Sequence, residues 1–134
     1  MSEKFKIACV QTEPKPDYET ALYEILSLSN EAVNEGAKFI TLPEYCGGLK
    51  TENGLLKPPS SNEDEHLVLN ELKKYAKSNQ IFILVGSIAI LNSEGKIFNR
   101  SFIIDDNGFI INRYDKVHLF DVCLLYTSPS PRDP

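Results

Sequence analysis

The run Phe39-Ile40-Thr41-Leu42-Pro43-Glu44-Tyr45-Cys46 is apolar until it ends abruptly on a carboxylate. Phe39, Ile40 and Leu42 have the β-branched and aromatic character of a buried strand, and Pro43, with no backbone N–H for a ladder, stops the pairing just before Glu44. A later apolar run delivers Tyr114-Asp115-Lys116-Val117-His118-Leu119-Phe120-Asp121 past its own end, so a lysine also sits at a strand end. Strand ends are where a rigid scaffold presents reactive groups, and an acid and an amine are the types used to move protons and hold developing charge. Taken singly, each has a plain reading. Glu44 is a solvated loop acid, Lys116 a surface lysine, and His118 a packed or hydrogen-bonded histidine.

The remaining chemistry-bearing residues narrow the field by their spacing. Cys9, Cys46 and Cys123 are three in number, with no CxxC or Cys/His arrangement, which argues against a disulfide framework and a zinc site and for free thiols. Cys46 stands two residues beyond Glu44, which along an extended chain returns it to the same face about 6.5–7 Å away. It reads nonetheless as an ordinary buried or semi-buried thiol, and Cys9 as a core strand residue. A net charge of −5 without a basic run disfavours nucleic acid and anionic membrane surfaces, leaving a small molecule as the better partner. The amino-terminus mixes an acid with its bases and does not read as a signal peptide, no stretch approaches the roughly 20 apolar residues of a membrane span, and the expected location is cytoplasmic.

The elements that must position Glu44 and Lys116 follow from periodicity. The 134 residues, 42% hydrophobic and 25% charged, suffice for one domain with a real core. Lys6–Val10 reads as a first strand, Asp17 as a helix cap, and Leu22, Ile25, Leu28, Ala32 and Val33 as the apolar stripe of a helix closed by Gly36. With the strand before Glu44 these make a β-α-β unit with parallel strands and a right-handed crossover. Gly47-Gly48 and Lys57–Ser61, with Pro58-Pro59, mark a long loop, equally a wall over a site or a plain connector. Asn62 and Glu65 resemble a capping box for a helix faced by Val68, Leu69, Leu72, Tyr75 and Ala76 and ending near Ser78-Asn79. Ile81–Leu91, Ile97–Ile104 and Phe109–Tyr114 then form an antiparallel meander, turned by Asn92–Lys96 and Asp105-Asp106-Asn107-Gly108. The prediction is a mixed sheet with both helices on one face.

From Cys123 the periodicity is lost, and Ser and Pro alternate to Pro134. Residues 123–134 resemble translated sequencing-adapter read-through of the kind that ends some environmental gene fragments. They are set aside as a non-native tail, the other reading being a disordered Pro-rich one.

Residues 5–122 together resemble the amino-terminal half of a nitrilase-superfamily carbon-nitrogen hydrolase. The resemblance rests on Val10-Gln11, Leu42-Pro43-Glu44, Gly86-Ser87, Asn99-Arg100-Ser101, the Asp106–Gly108 turn and Tyr114–Phe120, in that order and spacing. Within the family the chain is similar to the small aliphatic amidases that include omega-amidases and deaminated-glutathione amidase. The resemblance implies an α/β fold, here the amino-terminal half of an αββα sandwich, and hydrolysis of a nonpeptide C–N bond in a small amide by a Glu, a Lys and a Cys. It implies no cofactor or metal, and a homodimer or higher homo-oligomer. By motif Glu44 takes the place of the general base and Lys116 that of the catalytic lysine. The family's cysteine lies well after the lysine, beyond this sequence; Cys123 follows Lys116 too soon and matches no part of its motif. A domain over 1–122 is therefore expected to be truncated and inactive, and to expose the apolar face of its sheet.

Two other classes of protein fit parts of the pattern. One is a catalytically dead binding or interaction module of the same fold, supported by a homodimer that covers the missing surface. The other is a metal-dependent phosphodiesterase, whose αββα architecture also places Glu at a strand end. That chemistry needs further Asp, Asn and His ligands, and the chain has only His66 and His118.

Overall fold

A computed structural model describes residues 4–116. Strand β1 (Ile7–Cys9) leads into helix α1 (Tyr18–Asn34), which begins earlier than the apolar stripe because Asp17, extended at φ −144°, accepts the Thr20 N–H at 2.8 Å. The helix ends as the sequence predicts. Gly36 takes φ +95° and returns its N–H to the Val33 carbonyl at 2.9 Å. Strand β2 (Phe39–Thr41) pairs parallel to β1, completing the β-α-β unit.

The long connection after Glu44 is not structureless. It contains a hairpin of β3 (Lys50–Glu52) and β4 (Leu55–Lys57), then a short strand β5 (Ser60–Ser61). Its turn is Asn53-Gly54, both at positive φ (53° and 76°), a sequence signal for a two-residue hairpin loop that the wider Gly/Pro pattern obscures. The Asn62 cap is real but serves a different element. Its side chain accepts the Glu65 N–H at 3.0 Å and caps a single 3₁₀ turn, Glu63–Glu65. Helix α2 (Leu67–Asn79) is capped instead by His66, whose Nδ1 accepts the Leu69 N–H at 3.3 Å.

Strands β6 (Phe82–Leu91), β7 (Ile97–Ile104) and β8 (Ile110–Asp115) form the antiparallel meander. The sheet runs β1-β2-β6-β7-β8, parallel through its first three strands and antiparallel afterwards, with β5 paired parallel to the far end of β6. It is therefore mixed, as the change of period at Ile81 requires.

One face of this sheet is closed. Ile40, Ile83, Val85, Phe102 and Ile104 pack with Ile25 of α1 and with Val68, Leu69, Leu72 and Ala76 of α2, and all are at most 2% exposed. The helices also meet directly, where the Tyr75 hydroxyl donates to Asn30 Oδ1 at 2.6 Å. The alternate residues point the other way. Register aligns Ile7, Phe39 and Phe82 in one row and Cys9, Thr41, Leu84 and Ile103 in the next, and none of these is buried. This corrects the reading of Cys9 as a core residue. Only alternate positions of a strand reach one face, and in β1 it is Ala8 that packs on the helix-covered core.

Candidate active site

The site begins with a local conflict at the end of β2. Leu42 extends the ladder by one bond, its N–H donating to the Leu84 carbonyl at 2.9 Å, and Pro43 ends it. The chain then turns across β6, where a bulge between Val85 and Ile88 interrupts the pairing with β7. Gly86 lies at the crossing. A Cβ there would stand 2.2 Å from the Leu42 carbonyl oxygen and 2.4 Å from the Pro43 carbonyl, both backbone atoms that cannot move aside. Only glycine permits this close approach.

Ser87 catches the turn at three points. Its N–H donates to the Pro43 carbonyl at 3.3 Å, its Oγ accepts the Tyr45 N–H at 2.9 Å, and its carbonyl accepts the Cys46 N–H at 3.0 Å. Ser101, on β7, donates its hydroxyl to the Gly86 carbonyl at 2.5 Å, satisfying an oxygen that the bulge frees from the ladder. Tyr45 is held at φ +53°, a left-handed conformation that a bulky residue adopts only when its surroundings impose it. The segment bearing Glu44 is thus fixed by backbone and hydroxyl contacts before any side chain of the site is considered.

Glu44 and Lys116, 72 residues apart in sequence, meet at this point. Lys116 Nζ lies 3.1 Å from Glu44 Oε2, and the same oxygen accepts the Asn99 side-chain amide at 2.8 Å. Asn99 is on β7 and only 3% exposed, whereas the Glu44 and Lys116 side chains are 48% and 41% exposed. Partial burial pushes the Glu44 carboxyl up, but the hydrogen bonds from Asn99 and Lys116 and the lysine charge outweigh it and hold the group below its ordinary value. Asn99 also binds the backbone of the lysine, its carbonyl accepting the Lys116 N–H at 2.9 Å. One residue later on β7, Arg100 grips Asp115 through Nε at 2.6 Å and Nη2 at 3.1 Å, pinning the end of β8 beside Lys116. A cavity of about 50 Å³ opens beside Glu44, lined by Thr12, Glu13, Pro14, Pro43, Tyr45 and Leu49.

The described cysteines do not join this pair. Cys46 is 4% exposed with its thiol 3.6 Å from the Ser87 carbonyl, and burial pushes its pKa up to about 12, which leaves it protonated and unreactive. The spacing argument that would return it to the face of Glu44 assumes an extended chain, and the left-handed Tyr45 breaks that assumption. Cys9 lies on the open face of β1; His118 and Cys123 fall outside the described residues. His66 is fully buried behind α2 with its ring 4.6 Å from that of Tyr18, and burial lowers its pKa to about 4, so it is neutral and structural. Among the described residues no group of three or more His, Cys, Asp or Glu stands together as a metal site. Asn99 and Ser101 lay within a motif that the sequence reading singled out, but their contact with Glu44 and its turn could not be read from it.

The mixed sheet thus brings a carboxylate and a lysine together at its strand ends, and comparison with known proteins gives the family to which the chain belongs. The profile of the carbon-nitrogen hydrolases matches residues 6–133, and the chain belongs to that family. It is 35% identical over 119 residues to nitrilase homolog 2 of Dictyostelium discoideum, covering 88% of this chain and 36% of the relative. To the deaminated glutathione amidase of Synechocystis sp. it is 32% identical over 117 residues, covering 86% and 42%. A crystal structure of an N-terminal amidase superposes with a TM-score of 0.72 at 16% identity, over 88% of this chain and 29% of that one, and so shares its fold. The chain spans less than half the length of these relatives.

Proposed function

We propose that this chain carries the general base and the lysine of an amidase that hydrolyses the nonpeptide C–N bond of a small amide through a thioester. The observation that carries the reading is the Glu44–Lys116 contact of 3.1 Å, in a segment of the carbon-nitrogen hydrolase family whose similar proteins include an amidase. The nucleophile is a cysteine supplied from outside the described residues. Its thiol, ordinarily near pKa 8.5, gives its proton to Glu44 as sulfur attacks the carbonyl carbon. The oxygen becomes an oxyanion beside the Lys116 ammonium. Collapse breaks the C–N bond, protonated Glu44 gives the proton to departing ammonia, and the acyl group remains on sulfur as a thioester. Glu44 then takes a proton from water as it attacks the thioester and gives it to the departing thiolate, releasing the acid and regenerating the thiol and the carboxylate.

On this reading the 134 residues alone lack the thiol and release no ammonia. The complete protein works as a homodimer or larger homo-oligomer in the cytoplasm, on a small-molecule amide without cofactor. The test is ammonia release from small aliphatic amides by the complete protein and by its Glu44→Gln and Lys116→Met variants. Each variant is expected to lose about 10²–10⁴-fold in kcat. Near-normal turnover by either, or by the 134-residue chain alone, overturns the reading. A binding module of the same fold is the second reading, favoured by the absence of an accessible thiol beside Glu44 among the described residues. A stable homodimer of the 134-residue chain with its open sheet face covered supports it.

A further inference from the structure

The least expected feature of the site is a buried amide. Asn99 is 3% exposed, yet its Oδ1 has no hydrogen-bond partner among the described residues, an arrangement proteins seldom keep without cause. The cause is on its other side, where Nδ2 donates to Glu44 Oε2 at 2.8 Å. Rotating the amide would set Oδ1 against the carboxylate, two acceptors face to face, so the orientation is dictated by an ionised Glu44. The same residue holds Lys116 by its backbone carbonyl at 2.9 Å. Two groups that reach the site from β2 and β8 are therefore referred to one rigid point on the strand lying between β6 and β8.

The distribution of bonds over the carboxylate is uneven. Oε2 takes both Asn99 and Lys116, and among the described residues Oε1 accepts no hydrogen bond. We propose that Asn99 is a positioning residue that locks Oε2 together with Lys116 and thereby reserves Oε1 as the oxygen that exchanges protons with the reacting thiol and water. This rests on the amidase reading for its role in turnover, but its geometric content does not. A donor fixed on Oε2 favours the carboxylate over the acid and holds the plane of the group, so that Oε1 faces one direction only. Losing it should raise the pKa of Glu44 and let the carboxylate swing about the lysine.

The experiment uses the complete protein labelled with ¹³Cδ-glutamate, with Glu44 assigned by its disappearance in Glu44→Gln. In the wild type, the Asn99 side-chain amide resonances should titrate with the Glu44 midpoint, a readout that needs no variant. In Asn99→Leu, close in size but without the donor, the Glu44 midpoint should move to higher pH. The acid limb of kcat/KM should move with it, and kcat should fall about 10²-fold with KM little changed. Tyr75→Phe, which removes the hydroxyl bond to Asn30 between the two helices and touches nothing at Glu44, controls for general loosening and should leave the midpoint in place. An Asn99 amide indifferent to Glu44 titration overturns the proposal, as does an unmoved midpoint in a cooperatively folded Asn99→Leu. A midpoint that moves in a protein releasing no ammonia from amides upholds the positioning role and removes the amidase reading instead.

Discussion

Two glutamates on this small domain are held below their ordinary pKa, Glu63 by arginines and Glu44 by an amide and a lysine, and their partners are arranged differently. Glu63, in the 3₁₀ turn before α2, meets Arg113 in a two-pronged contact, Nε to Oε1 at 2.8 Å and Nη2 to Oε2 at 2.6 Å, and Arg100 Nη1 adds a third bond to Oε1 at 3.2 Å. Both oxygens are occupied, and the Arg113 hydrogen bond is the largest influence on the group. Among the described residues Glu44 meets a lysine and an amide on one oxygen and nothing on the other, and the largest influence on it is burial, which opposes ionisation. A guanidinium fork saturates a carboxylate and fixes a backbone, whereas a point charge leaves an acceptor over for chemistry. On the proposed reading, pairing alone does not mark the reactive acid; the carboxylate oxygen left without a partner among the described residues does.

The sharpest way to break this comparison is to neutralise each acid in turn in the complete protein. Glu44→Gln is expected to lose about 10²–10⁴-fold in ammonia release, against less than about tenfold for Glu63→Gln, whose role is to hold strands. Equal losses would mean that the Glu63 cluster belongs to the reacting site. Next in size is Gly86→Ala, which drives a methyl into the Leu42–Pro43 backbone. A loss of about 3 kcal/mol in urea unfolding is expected, with activity falling in the folded fraction as the Glu44 turn is displaced. A silent Gly86→Ala would show that the turn is not clamped there.

The stability effect of Glu63 is smaller and depends on pH. Its folded pKa is depressed, so the contribution is present above the unfolded value near 4.3 and lost as pH falls through the folded one. Glu63→Gln should therefore cost about 1 kcal/mol at neutral pH and nearly nothing once the pH lies below both values. A pH-independent cost would point to shape in place of charge. Smallest of all, Cys46→Ala should change ammonia release by less than about twofold and stability by about 1 kcal/mol, since it removes one buried sulfur. Loss of turnover would make Cys46 the nucleophile after all.

Much of this architecture was legible because it is local. The Asp17 cap, the Gly36 stop, the Asp105–Gly108 turn and the change of period at Ile81 depend on neighbours within a few residues, and each is where the pattern puts it. The β3–β4 hairpin was carried by Asn53-Gly54 and masked by the prolines that follow. Cys9 was misplaced because a three-residue strand is too short for its alternation to declare which face is covered.

The sequence by itself determined the order of the strands along the chain and the two strand ends on which an acid and a lysine stand, because chain propensity and side-chain period are properties of short segments. Only the tertiary structure decided that Asn99, 55 residues beyond Glu44, donates to the oxygen that Lys116 also holds, and that Ser87 and Gly86 shape the turn. Those contacts depend on the register of β2, β6, β7 and β8 and on the bulge at Gly86, and a register is set by packing across the whole sheet.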